Sequence, residues 1–301
     1  MTDPKPYSIR PIEGKGLGFI ATRSIRFGEL VFSEPPLFTL PTASQGLSAI
    51  LSALVSKSDI QKKQYLELTN YQSQLHGLHP VEGLFFSNAL PCGNNGMGAV
   101  AAKAGIFLEG CRFNSSCVPN VGNYWNEGRG IIEFWALKDI EEGEELCTFY
   151  LVGFETRAAR RRKLRQSWGF ECHCATCSLS GDALKASDER RTMLSILMEE
   201  IGNCGNRPGE GVKKAKLALR LTRAEGLAYP VVTFSYDAFQ LCAAVSDLEH
   251  AKAWLREAYS GAVHIRGPEG AQHYVVWLDD IEQHPAWGVG RQKMTLEGPD
   301  E

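Results

Sequence analysis

Three cysteines crowd into six residues at Cys172-His173-Cys174-Ala175-Thr176-Cys177, and no other stretch restricts the fold of this chain as much. The chain has nine cysteines in all. In a reducing compartment such a tight cluster points to a metal site rather than to a disulfide framework. Structural zinc takes four ligands in a tetrahedron, so Cys172, Cys174 and Cys177 need one more from elsewhere. Cys117 is the natural candidate, because it stands in a polar loop while Cys147 stands in an apolar strand pattern. His173 is a weaker one, since it lies between two ligands and would point away from both. With Cys117 in place, zinc would pin residue 117 to residues 172–177 and close the long loop between them.

Cys117 belongs to Arg112-Phe113-Asn114-Ser115-Ser116-Cys117-Val118-Pro119-Asn120, which follows the apolar segment Ala104–Leu108. Pro119 has no amide to donate, and Asn114 and Asn120 compete for backbone hydrogen bonds. The run is a poor helix and a poor strand interior, which leaves a functional loop or a surface turn. Glu144-Glu145-Leu146-Cys147-Thr148-Phe149-Tyr150 reads as a strand ending in aromatics.

Near the start, Tyr7–Arg10 alternates as a short strand and Gly14-Lys15-Gly16-Leu17-Gly18 follows. Alternate glycines permit a tight turn or a close approach of backbone to a ligand, and both readings stay open. No helical pattern follows and no Gly-Lys-Ser/Thr is present, so this is neither a dinucleotide fingerprint nor a P-loop. Ile25–Phe32 reads as a turn entering a strand, closed by Pro35-Pro36. Ala43–Val55 and Asp59–Tyr71 carry helical periodicity. His76 and His79 read as two surface histidines in a loop. Asn88-Ala89-Leu90-Pro91 ends an apolar stretch, and Cys92–Gly96 reads as a loop. Val121–Trp125 and Ile131–Leu137 form a hairpin pattern around Asn126–Gly130. Thr156–Trp168 is a helix whose basic face (Arg157, Arg160, Arg161, Arg162, Lys163, Arg165) reads as solvated. From about Ser180 strands all but vanish. Glu189–Ile201, Val212–Ala224, Val231–Ala244, Leu248–Tyr259 and Ala271–Glu282 are helical patterns, which suggests an array of helical hairpins of tetratricopeptide type without a clean repeat. The tail from Trp287 on is expected to fray. The fold class is therefore α+β, a β-rich region at 1–178 followed by a helical one at 179–301.

At 301 residues, 44% hydrophobic and 22% charged, the chain has ordinary globular composition. A net charge of −3 gives no basic field, so no direct nucleic-acid partner is expected. Met1–Pro6 carries no apolar leader and no run reaches membrane-spanning length. An intracellular monomer without a membrane partner is expected, in the nucleus, the cytoplasm or both.

Taken together, Gly14–Gly18, Arg112–Asn120, Glu142–Tyr150 and Phe170-Glu171-Cys172-x-Cys174-x-x-Cys177 resemble, in order and spacing, a SET-domain protein lysine methyltransferase. The likeness is to the SET-and-MYND subgroup and its relatives without a MYND finger, over roughly residues 5–178. It implies a helical insert at about 42–85, a post-SET zinc motif at about 168–178 formed by Cys117, Cys172, Cys174 and Cys177, and a tetratricopeptide-like C-terminal region. It implies S-adenosylmethionine as cofactor, contacted by Lys15, Gly16, Asn88, Asn114, Ser115, Tyr150 and Phe170, with Tyr150 as the catalytic residue. The partner it implies is a protein or peptide bearing the acceptor lysine, histone or not. Ser115 departs from the family, which usually has His there.

The reaction implied is an in-line transfer of a methyl from a sulfonium to a neutral lysine amine. Free lysine, with a pKa near 10.4, is neutral in about one molecule per thousand near pH 7.4. A dry aromatic channel beside a cation favours the neutral amine. Phe149, Phe154 and Phe170 are candidate walls. Two other readings compete: a weak or inactive SET-fold module that binds peptide or cofactor, motivated by Ser115, and a zinc-stapled scaffold served by its C-terminal helices.

Overall fold

The computed structural model describes residues 4–93, 100–151, 153–290 and 292–299. Of the expected loop Cys92–Gly96, residues 94–96 lie outside the described residues. The chain falls into two compact units, residues 1–152 with 158–177, and residues 153–157 with 178–301.

The first unit opens on a hairpin of β1 (Tyr7–Ile12) and β2 (Gly16–Ala21). Gly14 and Gly16 have φ of +70° and +77°, which side chains resist, so the alternate glycines serve the turn. β3 (Leu30–Glu34) and β4 (Phe38–Pro41) follow. Four short helices come next: α1 (Leu47–Val55), α2 (Asp59–Leu66), α3 (Gln72–His76) and α4 (Pro80–Asn88). Ser58 and Gln61 close a reciprocal cap at the start of α2. The periodicity shows only the first two helices: α3 is a single short turn, and α4, as long as α1, carries Pro80 and Gly83 in place of a regular apolar period. His76 and His79 are both exposed, as expected, and His79 also caps α4: its Nδ1 accepts from the Val81 amide at 3.3 Å, with Pro80 in the first turn.

The remaining strands are β5 (Leu90–Cys92), β6 (Lys103–Ile106), β7 (Asn114–Ser115), β8 (Val121–Asn126), β9 (Ile131–Ala136) and β10 (Glu145–Thr148), and α5 spans Arg157–Trp168. They form three small sheets, in the orders β1-β2-β10-β7, β3-β9-β8 and β4-β6-β5. The first two sheets share an aromatic core, and the third packs mainly against the short helices through Phe38, Leu40 and Ile106. Phe113 stacks between Phe19, with ring centroids 3.9 Å apart, and Phe134, at 4.3 Å. Phe113 thus anchors in the core the polar stretch that follows it.

That stretch wraps β10. β7 lies parallel to it, with Asn114 opposite Cys147 and Ser115 opposite Thr148. The chain then turns over β10, and the Ser116 amide donates to the Thr148 carbonyl at 2.7 Å. Buried Asn120 closes the loop: its amide donates to the Glu145 carbonyl at 2.9 Å and its oxygen accepts from the Cys147 amide at 2.7 Å. Asn120→Ala removes both bonds and strands a buried amide, so a loss of about 3 kcal/mol in unfolding free energy is expected by urea denaturation. A change within the scatter of ordinary surface substitutions would show that Asn120 does not clamp β10.

The second unit is helical: α6 (Gly181–Gly202), α7 (Pro208–Glu225), α8 (Tyr229–Ala244) and α9 (Leu248–Asp279). Consecutive helices pack on one another. The last two helical patterns in the sequence correspond to the two helical segments of α9, which meet at a kink at Gly267, whose φ of +71° is non-helical, just before Pro268. Buried Glu225 accepts from Ser187, Arg190 and Arg191, tying α6 to α7. Nor does the tail fray at Trp287. The Gly288 and Gly290 amides donate to the Ala243 and Ala244 carbonyls at 3.0 and 2.7 Å, which no periodicity in the sequence could announce. Among the described residues no helix is long and apolar enough to cross a membrane.

Candidate active site and cysteine cluster

Tyr150 lies two residues past the end of β10, and its hydroxyl donates to the Phe113 carbonyl at 2.9 Å. Trp168, at the end of α5, has its ring centroid 5.4 Å from that of Tyr150, and Phe170 stands edge-on at 6.4 Å. Burial raises the Tyr150 hydroxyl well above the usual tyrosine range, and nearby Cys111, Cys147 and Glu145 push the same way, so the group is a neutral donor. Tyr71 joins this setting, its own pKa raised first by burial and then by Tyr150. The Tyr71 hydroxyl donates to the Ser87 carbonyl at 2.7 Å, and Gln72 Nε2 donates to the Ser167 carbonyl at 2.7 Å. Helices α3 and α4 are therefore tied to each other and to the end of α5 beside Tyr150.

A polar network lies on the edge formed by the first hairpin, β7 and β10. Lys15 Nζ is 2.5 Å from Glu145 Oε2, and Asn114 Nδ2 donates to Glu145 Oε1 at 2.9 Å. Burial disfavours the Lys15 ammonium, but the Glu145 bond and charge outweigh this and hold its pKa above the ordinary value. Gly18 makes room for the arrangement: a Cβ there would lie 2.6 Å from Asn114 Nδ2. At Gly16 a Cβ would meet nothing within 4 Å, so that side of the turn is open. Ser115 is half-buried opposite Thr148, whose buried hydroxyl oxygen has no hydrogen-bond partner. Asn88 is not part of this network. Both hydrogens of its side-chain amide are taken, by the Thr69 and Leu84 carbonyls at 2.7 Å each, which leaves its oxygen as the free function.

The four cysteines come together. The sulfurs of Cys117, Cys172, Cys174 and Cys177 all lie within 4.8 Å of one another, with Cys117 at 3.4 Å from Cys177 and 3.9 Å from Cys172. A tetrahedron with Zn–S bonds of about 2.3 Å has edges of about 3.8 Å, so the cluster fits such an ion. The helix beside it is not the solvated basic face that the sequence suggested. Arg160 is buried, and its Nη2 lies 3.9 Å from Cys177 Sγ. Arg161 donates to the Cys172 and Cys177 carbonyls at 3.2 and 3.0 Å and pairs with Glu171 at 3.0 Å. The alternation of this helix hid these roles, because two of its cations turn inward to hold a loop rich in thiols and carbonyls.

Residues 16–151 match the family model of the SET domain. That stretch, just under half of the chain, is a SET domain. Across 98% of its length it is 28% identical to the histone-lysine N-methyltransferase set5 of Schizosaccharomyces pombe, 91% of which is covered. It is 26% identical, over 55% of the chain and 75% of the relative, to a putative SET domain-containing protein of Acanthamoeba polyphaga mimivirus. It is 33% identical over 29% of its length to the mouse protein-lysine N-trimethyltransferase SMYD5, covering 21% of that protein.

The SET-domain match ends at residue 151, one residue past Tyr150, so Trp168, Phe170 and three of the four cysteines follow it. Of the residues singled out in the sequence, Lys15 and Asn114 meet through Glu145, Tyr150 meets Phe170, and the four cysteines meet one another. Phe154 does not join the Tyr150 aromatics as a channel wall: it is buried against Phe234 of α8 in the helical unit, ring centroids 6.2 Å apart. Three residues around Tyr150 and Lys15 had no role assigned from sequence. Glu145 stood at the start of a run that read simply as a strand, and Tyr71 and Trp168 looked like ordinary positions of helical patterns. The Pro-Asn pair at 119–120 was visible, but its partner strand was not.

Proposed function

We propose that the SET domain of this chain transfers a methyl group from S-adenosylmethionine to the side-chain amine of a lysine in a protein. The observation that carries the reading is the Tyr150 hydroxyl held on the Phe113 carbonyl, one residue before Asn114, inside a SET domain. The relatives named as lysine methyltransferases support the same reaction class.

S-adenosylmethionine supplies an electrophilic methyl on a sulfonium. Its amino-acid end carries an ammonium and a carboxylate, and the Lys15–Glu145–Asn114 network offers a cation, an anion and an amide beside an open glycine turn. Lys15, Gly16, Asn114 and Ser115 are assigned to that end. Asn88 would contribute through its oxygen, since its amide hydrogens are engaged. Phe170 and Tyr150 flank the methyl. The Tyr150 role is to orient and to donate: as a neutral hydroxyl it is no strong base, and a fixed donor acts by placement. The aromatic surround of Tyr150, Trp168 and Phe170 disfavours the ammonium of the acceptor lysine. Cys117, Cys172, Cys174 and Cys177 would hold a structural zinc, which fixes Phe170 two residues before its first thiolate in the 172–177 loop. The successively packed helices of the second unit are consistent with a tetratricopeptide-like array. A nuclear or cytoplasmic protein with a lysine-bearing partner follows from this reading.

Ser115 favours a second reading, a SET fold that holds cofactor or peptide with little turnover. Calorimetric titration with S-adenosylmethionine, on the protein and on Ser115→His, separates the two. The expected result is micromolar binding by the protein as it stands, strengthened several-fold by Ser115→His, with methylation of a basic protein. Binding only in Ser115→His would favour the second reading, and binding in neither would sink the cofactor assignment.

A further inference from the structure

The last described residues of the helical unit, 292–299, form no helix or strand, yet they are held in place. The Leu296 amide donates to Asp247 Oδ2 at 2.6 Å. The Trp254 indole donates to the Glu297 carbonyl at 2.8 Å. The Met294 amide donates to the Val245 carbonyl at 3.4 Å. The Leu296 side chain is buried against Gly209, where a Cβ would lie 3.7 Å from Leu296 Cδ2. The Glu297 carboxylate lies 3.2 Å from Lys216 Nζ and 3.8 Å from Lys213 Nζ. Gly209, Lys213 and Lys216 belong to α7, Trp254 to α9, and Val245 and Asp247 to the junction between α8 and α9.

These are contacts by which one chain reads another. Buried polar side chains take main-chain groups, one recess takes an apolar side chain, and two lysines take a carboxylate. None of them depends on the tail being part of the same chain. The attachment is also slight. One buried leucine, a few main-chain bonds and a half-exposed ion pair stand against the conformational entropy of an eight-residue segment, a small balance beside the packing of the helices on one another.

We propose that the groove formed by α7 and the start of α9 is a peptide-docking site covered by the chain's own tail, and that its partner is an extended segment carrying a bulky apolar residue followed by a carboxylate. Lys213 and Lys216 select an acidic segment. His250, beside Asp247 at 2.9 Å, adds no negative charge, and the Asp247 carboxylate is engaged by the His250 ring and the Leu296 amide. The occupant is therefore distinct from a basic, lysine-bearing methyl acceptor.

The test uses the full chain and a fluorescent peptide with the sequence of residues 292–299. In the double variant Leu296→Asp, Glu297→Lys the groove is freed. The peptide is expected to bind that variant at least tenfold more tightly than the unsubstituted protein, by anisotropy. Adding Lys216→Glu should abolish binding, and a peptide with Lys in place of Glu297 should restore it. Equal binding in all variants would overturn the proposal. Hydrogen exchange on the unsubstituted protein gives a readout independent of the variants' folding. The Leu296 amide should exchange at least a hundredfold faster than amides in the middle of α7, and faster still with excess peptide. Exchange in step with α7 would make the tail a fixed part of the helical core and overturn the site. Light scattering showing a dimer that the double variant dissolves would place the tail in a second copy and overturn the assignment of an acidic partner.

Discussion

Tyr150→Phe is expected to lower kcat for lysine methylation by a factor of about a hundred or more, while S-adenosylmethionine binds within about threefold of the unsubstituted protein. The substitution removes one oxygen from a ring already packed against Trp168 and Phe170. It also removes the bond to the Phe113 carbonyl, worth about 1 kcal/mol, so the fold survives and the loss is read as chemistry. The pH profile sharpens the test. Burial keeps the Tyr150 hydroxyl protonated to well above pH 10, so its titration does not enter the working range. The acceptor lysine does enter it, because only its neutral form attacks. The logarithm of kcat/KM should therefore rise by about one for each pH unit up to the pKa of the acceptor, with no fall from Tyr150 below about pH 10. A Tyr150→Phe variant that keeps most of its kcat would remove Tyr150 from the reaction, and a profile that falls between pH 7 and 9 would mean that Tyr150 acts as a titrating acid.

Cys172→Ser is expected to abolish stoichiometric zinc. Apparent binding energies of structural zinc sites run to about 10–16 kcal/mol, and losing one of four thiolates forfeits a large share of this. The consequence should be local. The first two sheets keep their own aromatic core around Phe19, Phe113 and Phe134, whereas the loop from Trp168 to Cys177 packs in the small cluster of Leu164, Tyr150 and Leu151. Limited proteolysis should then cut within residues 168–177. Cofactor affinity should fall about tenfold or more as Phe170 loses its anchor, and the melting of the helical unit should not change. Chelation of the unsubstituted protein should reproduce the pattern, and returning zinc should reverse it. A chain free of metal, with the same proteolytic resistance and the same cofactor affinity, would show that the cluster is not a zinc site.

By itself the sequence determined the cysteine set and the landmarks. Three cysteines in six residues leave few chemical options, and the polar setting of Cys117 marked it as the fourth, so that set was legible without coordinates. The glycines around Lys15, the Asn-Ser-Ser-Cys and Pro-Asn stretch and the terminal Tyr150 were legible for a similar reason: local conformational demands restrict which residues can stand there. The long helices of the second unit announced themselves by their period.

The tertiary structure decided what depends on contacts far apart in the chain. Glu145 lies 130 residues from Lys15, and only the pairing of β2 with β10 brings its carboxylate between Lys15 and Asn114. Asn120 has a role only because β7 runs parallel to β10 and the chain turns back over it. Arg160 and Arg161 read as solvent-facing until the helix is laid against the cysteine loop. The tail looked frayed because its order comes from α7, α8 and α9 rather than from any period of its own. A local pattern records what a residue can tolerate, while its partner is set by strand register and helix packing, which no window of sequence contains.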